Sequence, residues 1–186
     1  MTAQTSSDGR RLRGVRRRTE IVESTLRIIE RDGLAGVTHR TVAIEARTTP
    51  SSVNYHFATL DELLVAALIT AVDDYAEQLA AIRADAEDPL AALAQLVVDA
   101  GGPGHARAIA ERELTLLAAR RPSLRPAARR WRELLGEIAR ELSDDPLAGD
   151  ALIAASDGIC ARVLLGDDSF THERIHEHLR RAISRP

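Results

Sequence analysis

The stretch from Thr38 to Phe57, THRTVAIEARTTPSSVNYHF, constrains this chain more than any other. It predicts two short helices joined by a tight turn. Val42, Ala43 and Ala46 recur at helical spacing and give the first helix an apolar side. Thr38 stands just before it, where a hydroxyl can accept from the open amides of the first turn. The turn is Arg47, Thr48 and Thr49. Pro50 fits the first position of the second helix, where a missing amide proton costs nothing. A residue before proline is pushed out of helical geometry, and a capping residue needs that same geometry, so Thr49 serves both demands.

On a wheel of roughly 100° per residue, Val53 and Phe57 of the second helix fall together, with Pro50 near them. Ser51 and Tyr55 lie opposite. Asn54 flanks them on one edge, Ser52 and His56 on the other. The helix buries a narrow apolar edge and shows hydroxyls, an amide, a phenol and an imidazole, with no acidic residue. Such groups can read base edges in a major groove or bind phosphate oxygens. The alternative is a helical hairpin whose polar side merely faces water.

Charge distribution favours the first reading. The net charge is -3, yet residues 1–57 hold ten Arg against six acids, while the remainder holds fifteen against twenty-two. A basic front and an acidic back suggest that one end faces phosphates. There is no Lys; all 25 basic residues are Arg. One cysteine rules out an internal disulfide framework and points to reducing surroundings, hence the cytoplasm. No apolar run is long enough to span a membrane, and the polar, basic N-terminus is not a secretory signal.

Residues 1–14 read as disordered, and residues 1–15 as a flexible basic arm. Arg10, Arg11, Arg13, Arg16, Arg17 and Arg18 line it. Arg16 to Arg18 adjoin the first helix and suit phosphate contact; Arg10 to Arg13 suit either that or solvent. The first helix is expected from Arg16 to Asp32, with Ile21, Val22, Leu26, Ile28 and Ile29 inside, Gly33 as its stop and Leu34 tucked beneath.

From Arg16 to Leu64 the chain resembles the DNA-binding domain of the tetracycline-repressor (TetR) family of bacterial transcription regulators. The carriers are the opening helix, the Gly33-to-Thr38 approach, Val42-Ala43, and Asn54-Tyr55-His56-Phe57 followed by Thr59-Leu60-Asp61-Glu62-Leu63-Leu64. The family usually has Gly in the turn where this chain has Arg47; a left-handed backbone there would cost about 1 kcal/mol. Thr48 replaces a usual Val, Asn54 a usual aromatic, and Leu60 a usual Lys that grips phosphate.

The resemblance implies an all-α fold of about nine helices. A helix-turn-helix head at residues 16–58 would stand on a ligand-binding and dimerisation domain at 59–186. Thr59-Leu60-Asp61-Glu62 reads as a capping box for a long fourth helix. Asp88-Pro89 opens a fifth helix, running through Val98, and Gly101-Gly102-Pro103-Gly104 is the plainest break. The next helix, His105 to Arg120, reads with Ala106, Ile109, Ala110, Leu116 and Leu117 on one side and Glu113 in its midst. A carboxylate buried there would meet an internal Arg or anchor a ligand. Trp131, the one Trp, is core or pocket wall.

The expected ligand pocket comprises Val72, Tyr75, Ile109, Glu113, Leu117, Trp131 and Leu135. The helix from Pro146 to Leu165 is apolar on more than one side, and Ala154, Ser156 and Gly158 allow close approach. In the family the last two helices make the dimer interface; here that would use Leu152, Ala155, Ile159, Val163, Ile175 and Leu179. Base contact is expected from Ser51, Ser52, Asn54 and Tyr55, with Arg40 and Thr49 beside them. Phosphate contact is expected from Thr38, Tyr55, His56 and Arg16 to Arg18.

His172 and His176, one turn apart near His178, Glu173 and Glu177, have metal-binding spacing but no third fixed ligand, so no metal site is expected. Cys160 reads as a small buried residue or a redox sensor. No phosphate loop, nucleophile elbow or cluster of catalytic acids occurs, and neither an enzyme nor a cofactor is expected. The expected partners are an inverted-repeat duplex operator, a second copy of the chain and a small-molecule effector that releases a repressor. A ligand-free regulator, an activator, a helical protein adaptor and an all-helical enzyme are the other readings.

Overall fold

The structure, a computed structural model, describes the backbone of residues 2–184 and the side chains of residues 11–184. Among the described residues it is all helical: nine α-helices and two 3-10 turns, with no strand. The chain divides into two compact units, Met1–Thr70 and Ala71–Pro186. The division falls within α4 (Leu60–Asp85), so this one helix contributes residues to both.

In the first unit, α1 (Thr2–Asp32) begins well before the expected Arg16. No proline precedes Pro50, so nothing in the basic arm stops a helix nucleated on Ile21 to Ile29 from propagating backwards. The side chain of Arg10 lies outside the described residues. Ile21, Val22, Leu26, Ile28 and Ile29 are buried as expected, and Gly33 ends the helix at φ 70. Leu34 is only half-buried; Val37 is the residue that fills the space beneath. The 3-10 turn Leu34–Gly36 makes the difference by turning the chain before Val37.

The hairpin forms with α2 (His39–Glu45) and α3 (Pro50–His56). Val42, Ala43, Val53 and Phe57 join the α1 residues in the core. Helix α4 (Leu60–Asp85) starts on Thr59, whose hydroxyl accepts from the Glu62 N–H at 3.1 Å. The reciprocal half of the expected capping box is displaced by one residue. The Glu62 carboxylate reaches past Thr59 to accept from the Ala58 N–H at 2.8 Å.

In the second unit, α5 (Pro89–Gly101) is capped by Asp88, whose carboxylate accepts from the N–H groups of Leu90 and Ala91. There follow α6 (His105–Leu117), a 3-10 turn at Pro122–Leu124, α7 (Arg125–Leu142), α8 (Ala148–Leu164) and α9 (His172–Ile183). Helix α8 packs against α5, α7 and α9. Leu79, Leu93, Leu135, Ile138, Leu152, Ile175 and Leu179 belong to the core between these helices. Gly101 is there for close approach: a Cβ on it would stand 2.5 Å from Cγ1 of Val163 on α8.

Two expectations fail in this unit. On α6 the buried residues are Ala110 and Leu114, with Ala118 following, whereas Leu116 is exposed and Ala106 faces out. The covered side is rotated by about 100°, one residue, from the expected one. Glu113 therefore sits half-buried at its edge, not inside, and the premise of a buried carboxylate fails. On α8 and α9, Leu152, Ile159, Ile175 and Leu179 are buried in the chain's own core, so they cannot be the surface offered to a second copy. Ala155 and Val163 remain half-buried.

Candidate functional site

The hairpin is held by local hydrogen bonds that its sequence dictates. The Thr41 N–H donates to Thr38 Oγ1 at 3.1 Å and the Thr38 N–H to Thr41 Oγ1 at 2.9 Å, a reciprocal cap. The Ser52 N–H donates to Thr49 Oγ1 at 3.2 Å, and Thr49 sits in extended backbone ahead of Pro50. His39, which the sequence reading passed over, ties the two helices: its imidazole Nε2 lies 3.3 Å from the Phe57 carbonyl oxygen. Its only sequence signal was its place next to the Thr38 cap.

With Val53 and Phe57 buried, α3 presents the rest of its side chains outward. Tyr55 is 85% exposed, and Ser51 and Asn54 are exposed, while Ser52 and His56 are half-buried. The Thr49 and Ser51 hydroxyls are 2.9 Å apart, and the Tyr55 and His56 rings meet edge to face with centroids at 5.2 Å. The ridge carries no Asp, Glu, Lys or Arg from Pro50 to His56.

The arginines around it divide into two kinds. Arg17 pairs with Glu20 at 2.8 Å and donates to the Ala46 carbonyl at 3.5 Å. Arg18 lies over the Phe57 ring at 4.7 Å. Arg27 and Arg31 both hold Glu45 at 3.1 Å, which keeps that carboxyl below its usual pKa. These four brace the hairpin against α1. Arg16, Arg40 and Arg47 are exposed, and their side chains make no hydrogen bond or ion pair with other described residues.

In the second unit the structure brings Tyr75, Trp131 and Leu135 of the expected pocket into one cluster, with the Tyr75 and Trp131 rings 5.8 Å apart and tilted by 33°. Val72 is buried outside that cluster, and Ile109, Glu113 and Leu117 are half-buried outside it. Burial pushes the Tyr75 phenol above its ordinary pKa, with smaller contributions from Cys160, Glu111 and Asp157. The hydroxyl has no hydrogen-bond partner among the described residues. Asp157 was missed by the sequence reading. It pairs with Arg132 at 3.3 Å and Arg112 at 3.6 Å, linking α8 to α7 and α6. Nothing in its local sequence marked it, because its partners are brought in by packing.

The histidines of α9 are structural. His172 Nε2 lies 2.9 Å from the Ala91 carbonyl oxygen and His176 Nε2 lies 2.9 Å from Asp88. Among the described residues no group of three or more His, Cys, Asp or Glu is arranged to hold a metal ion. No single described helix is long and apolar enough to cross a membrane.

Residues 84–185 match the C-terminal domain of tetracyclin repressor-like proteins. The chain belongs to the TetR family. The multidrug binding protein EbrR, solved with ethidium, is 40% identical and superposes with a TM-score of 0.79 over 91% of this chain and 99% of that one. A TetR-family member from Streptomyces coelicolor gives the same identity, coverage and TM-score. The nicotine-responsive transcriptional repressor HdnoR of Paenarthrobacter nicotinovorans is 30% identical over 89 residues, 48% of this chain. That match spans only 45% of the curated relative's length. TetR proteins are transcription regulators, and the first unit carries their helix-turn-helix with the outward ridge on α3.

Proposed function

We propose that this TetR protein is a repressor, acting in the bacterial cytoplasm as a homodimer, that leaves an inverted-repeat operator when a small molecule binds its second unit. The observation that carries the reading is the ridge on α3: Ser51, Asn54 and Tyr55 face outward, carboxylate-free, on a helix anchored by Val53 and Phe57. Ser51, Ser52, Asn54 and Tyr55 contact bases, with Arg40 and Thr49 at the margin; Thr38, Tyr55, His56 and Arg16 hold phosphates. Arg17 and Arg18 act mainly by fixing the hairpin, given their partners Glu20, Ala46 and Phe57. Residues 16–58 are the DNA-binding domain and 59–186 the ligand-binding and dimerisation domain.

The effector pocket is built on Tyr75 and Trp131. An aromatic pair with Glu111 and Asp157 in electrostatic reach suits an aromatic organic cation, the class to which EbrR's ligands ethidium, proflavin and malachite green belong. The second copy docks on the outer side of α8, where Ala154 and Gly158 are exposed at one-turn spacing and Leu165 is 87% exposed. Release follows from linkage: a ligand that binds better to a form with misfitting head spacing lowers operator affinity by the same coupling. Helix α4 carries residues of both units and is the covalent route for that coupling.

Selection of bound sequences from a random duplex pool tests the reading. The expected result is a two-fold symmetric motif bound with steep salt dependence. Tyr55→Ala and Ser51→Ala should leave the dimer folded and weaken binding to that motif. No enrichment, or unchanged binding in both variants, would sink the assigned surface. Ethidium should then release the selected DNA from the wild type and fail to do so from Trp131→Ala.

A further inference from the structure

We infer that Arg47 is a phosphate-binding residue of this chain, held in the helix-turn-helix turn at the expense of backbone strain. The inference rests on the DNA-binding reading above. Arg47 has φ 49 and is the one non-glycine residue with positive φ among the described residues. The turn itself imposes this conformation. The Arg47 N–H donates to the Ile44 carbonyl at 3.1 Å and the Thr48 N–H to the Ala43 carbonyl at 2.8 Å, bonds that close α2 before the chain swings into Thr49. Whatever residue stands at 47 must adopt it. Glycine does so freely, and a long side chain does so against its Cβ.

No contact with the described residues explains why an arginine is there. Its side chain is exposed and makes no hydrogen bond or ion pair with described residues, whereas Arg17, Arg18, Arg27 and Arg31 all have partners on the same unit. Strained residues that contribute no internal contact concentrate where a chain meets its ligand. Arg47 lies two residues before the cap of α3, so its Cα is at most about 7 Å from that of Thr49. It is also the last full positive charge for a long stretch: the next Arg in the sequence is Arg83. The ridge on α3 offers hydroxyls, an amide and a phenol but no permanent cation. A duplex approaching it meets phosphates that need neutralising, and on the turn side Arg47 supplies the charge.

Two substitutions separate charge from strain. Arg47→Gly removes both; Arg47→Gln keeps the left-handed residue and removes the charge. Binding is measured on the DNA selected by the wild-type protein, across a salt series, alongside thermal melts of the free proteins. For Arg47→Gly, affinity at low salt should fall about 5- to 10-fold, and the slope of log K against log salt should drop by about 0.9 per subunit. Its Tm should rise by about 2–4 °C, because the strain is relieved. Arg47→Gln should lose the same affinity and slope without the gain in Tm. Undiminished affinity and an unchanged salt slope in both variants would overturn the phosphate contact. A fall in Tm for Arg47→Gly would overturn the strain. If the wild type selects no DNA, the DNA-binding reading falls and this inference with it; if the wild type binds and the variants bind equally well, only the assignment of Arg47 falls.

Discussion

Phe57 and Tyr55 stand two residues apart at the end of α3, and their substitution by alanine should separate folding from recognition. Phe57 is 1% exposed, is among the largest fully buried side chains, and carries Arg18 over its ring. Truncating a buried phenylalanine costs about 3–5 kcal/mol. A unit of seventy residues has a stability of about 4–10 kcal/mol at the usual value per residue. Phe57→Ala should therefore remove between about a third and all of the stability of the first unit. Tyr55 is 85% exposed, and its truncation should stay within about 0.5 kcal/mol. Trp131 lies in the second unit, so its fluorescence reports the wrong part of the chain. Amide hydrogen exchange read by peptide is the suitable assay. In Phe57→Ala the peptides covering α1 to α3 should lose protection while those covering α7 to α9 keep theirs. Tyr55→Ala should match the wild type throughout. Wild-type protection of α2 and α3 in Phe57→Ala, or equal losses in both variants, would refute the assignment of a buried and an exposed edge to this helix.

Three other outcomes follow from the packing and the titrating groups. Glu45, held by hydrogen bonds from Arg31 and Arg27, has a folded pKa below its ordinary 4.5. Its contribution is complete above about pH 4.5 and is lost as pH falls through the lower folded value. Melts of Glu45→Gln should accordingly lose less than the wild type between pH 5 and about pH 3. Tyr75 behaves in the opposite sense: its folded pKa is raised, so the folded state keeps a proton that the unfolded chain gives up above the ordinary phenol value of 10. In Tyr55→Phe, where Tyr75 is the remaining phenol, the phenolate band should be missing at pH 10 in the folded protein and present in urea. Gly101→Ala would press a methyl against Val163, and overpacking of this kind costs about 1–3 kcal/mol. The same change in a Val163→Ala background should cost measurably less in urea unfolding.

What could be read from the sequence was what local chemistry decides. Thr38, Thr49 and Pro50 specify caps and a turn within a few residues, and the structure places each as expected. The burial of Val53 and Phe57 followed from helical spacing on a short element with one apolar edge. The covered side of α6 was misread because Ile109, Ala110, Leu114, Leu116 and Leu117 spread over an arc of about 160°, and packing covers only one edge of it, at Ala110 and Leu114. The interface residues were misplaced for a related reason. Leu152, Ile159, Ile175 and Leu179 are apolar enough for any interface, and only the packing of α5, α7, α8 and α9 reveals that one chain already uses them. Asp157 and His39 act through partners distant in sequence, and no local pattern marks such residues.

Two of the three histidines of α9 also govern when the second unit can be completed during synthesis. His172 fastens the first turn of α5 at Ala91, 81 residues upstream, and His176 reaches the aspartate that caps the same turn. At about 5–20 residues per second, the ribosome needs roughly 4 to 16 s after making Ala91 before it supplies its fastener. For that interval the apolar side of α5 lacks its last cover. A premature stop codon before residue 172 would make the gap permanent, leaving a nascent chain with a finished head and an unclosed body for chaperones and proteases to collect.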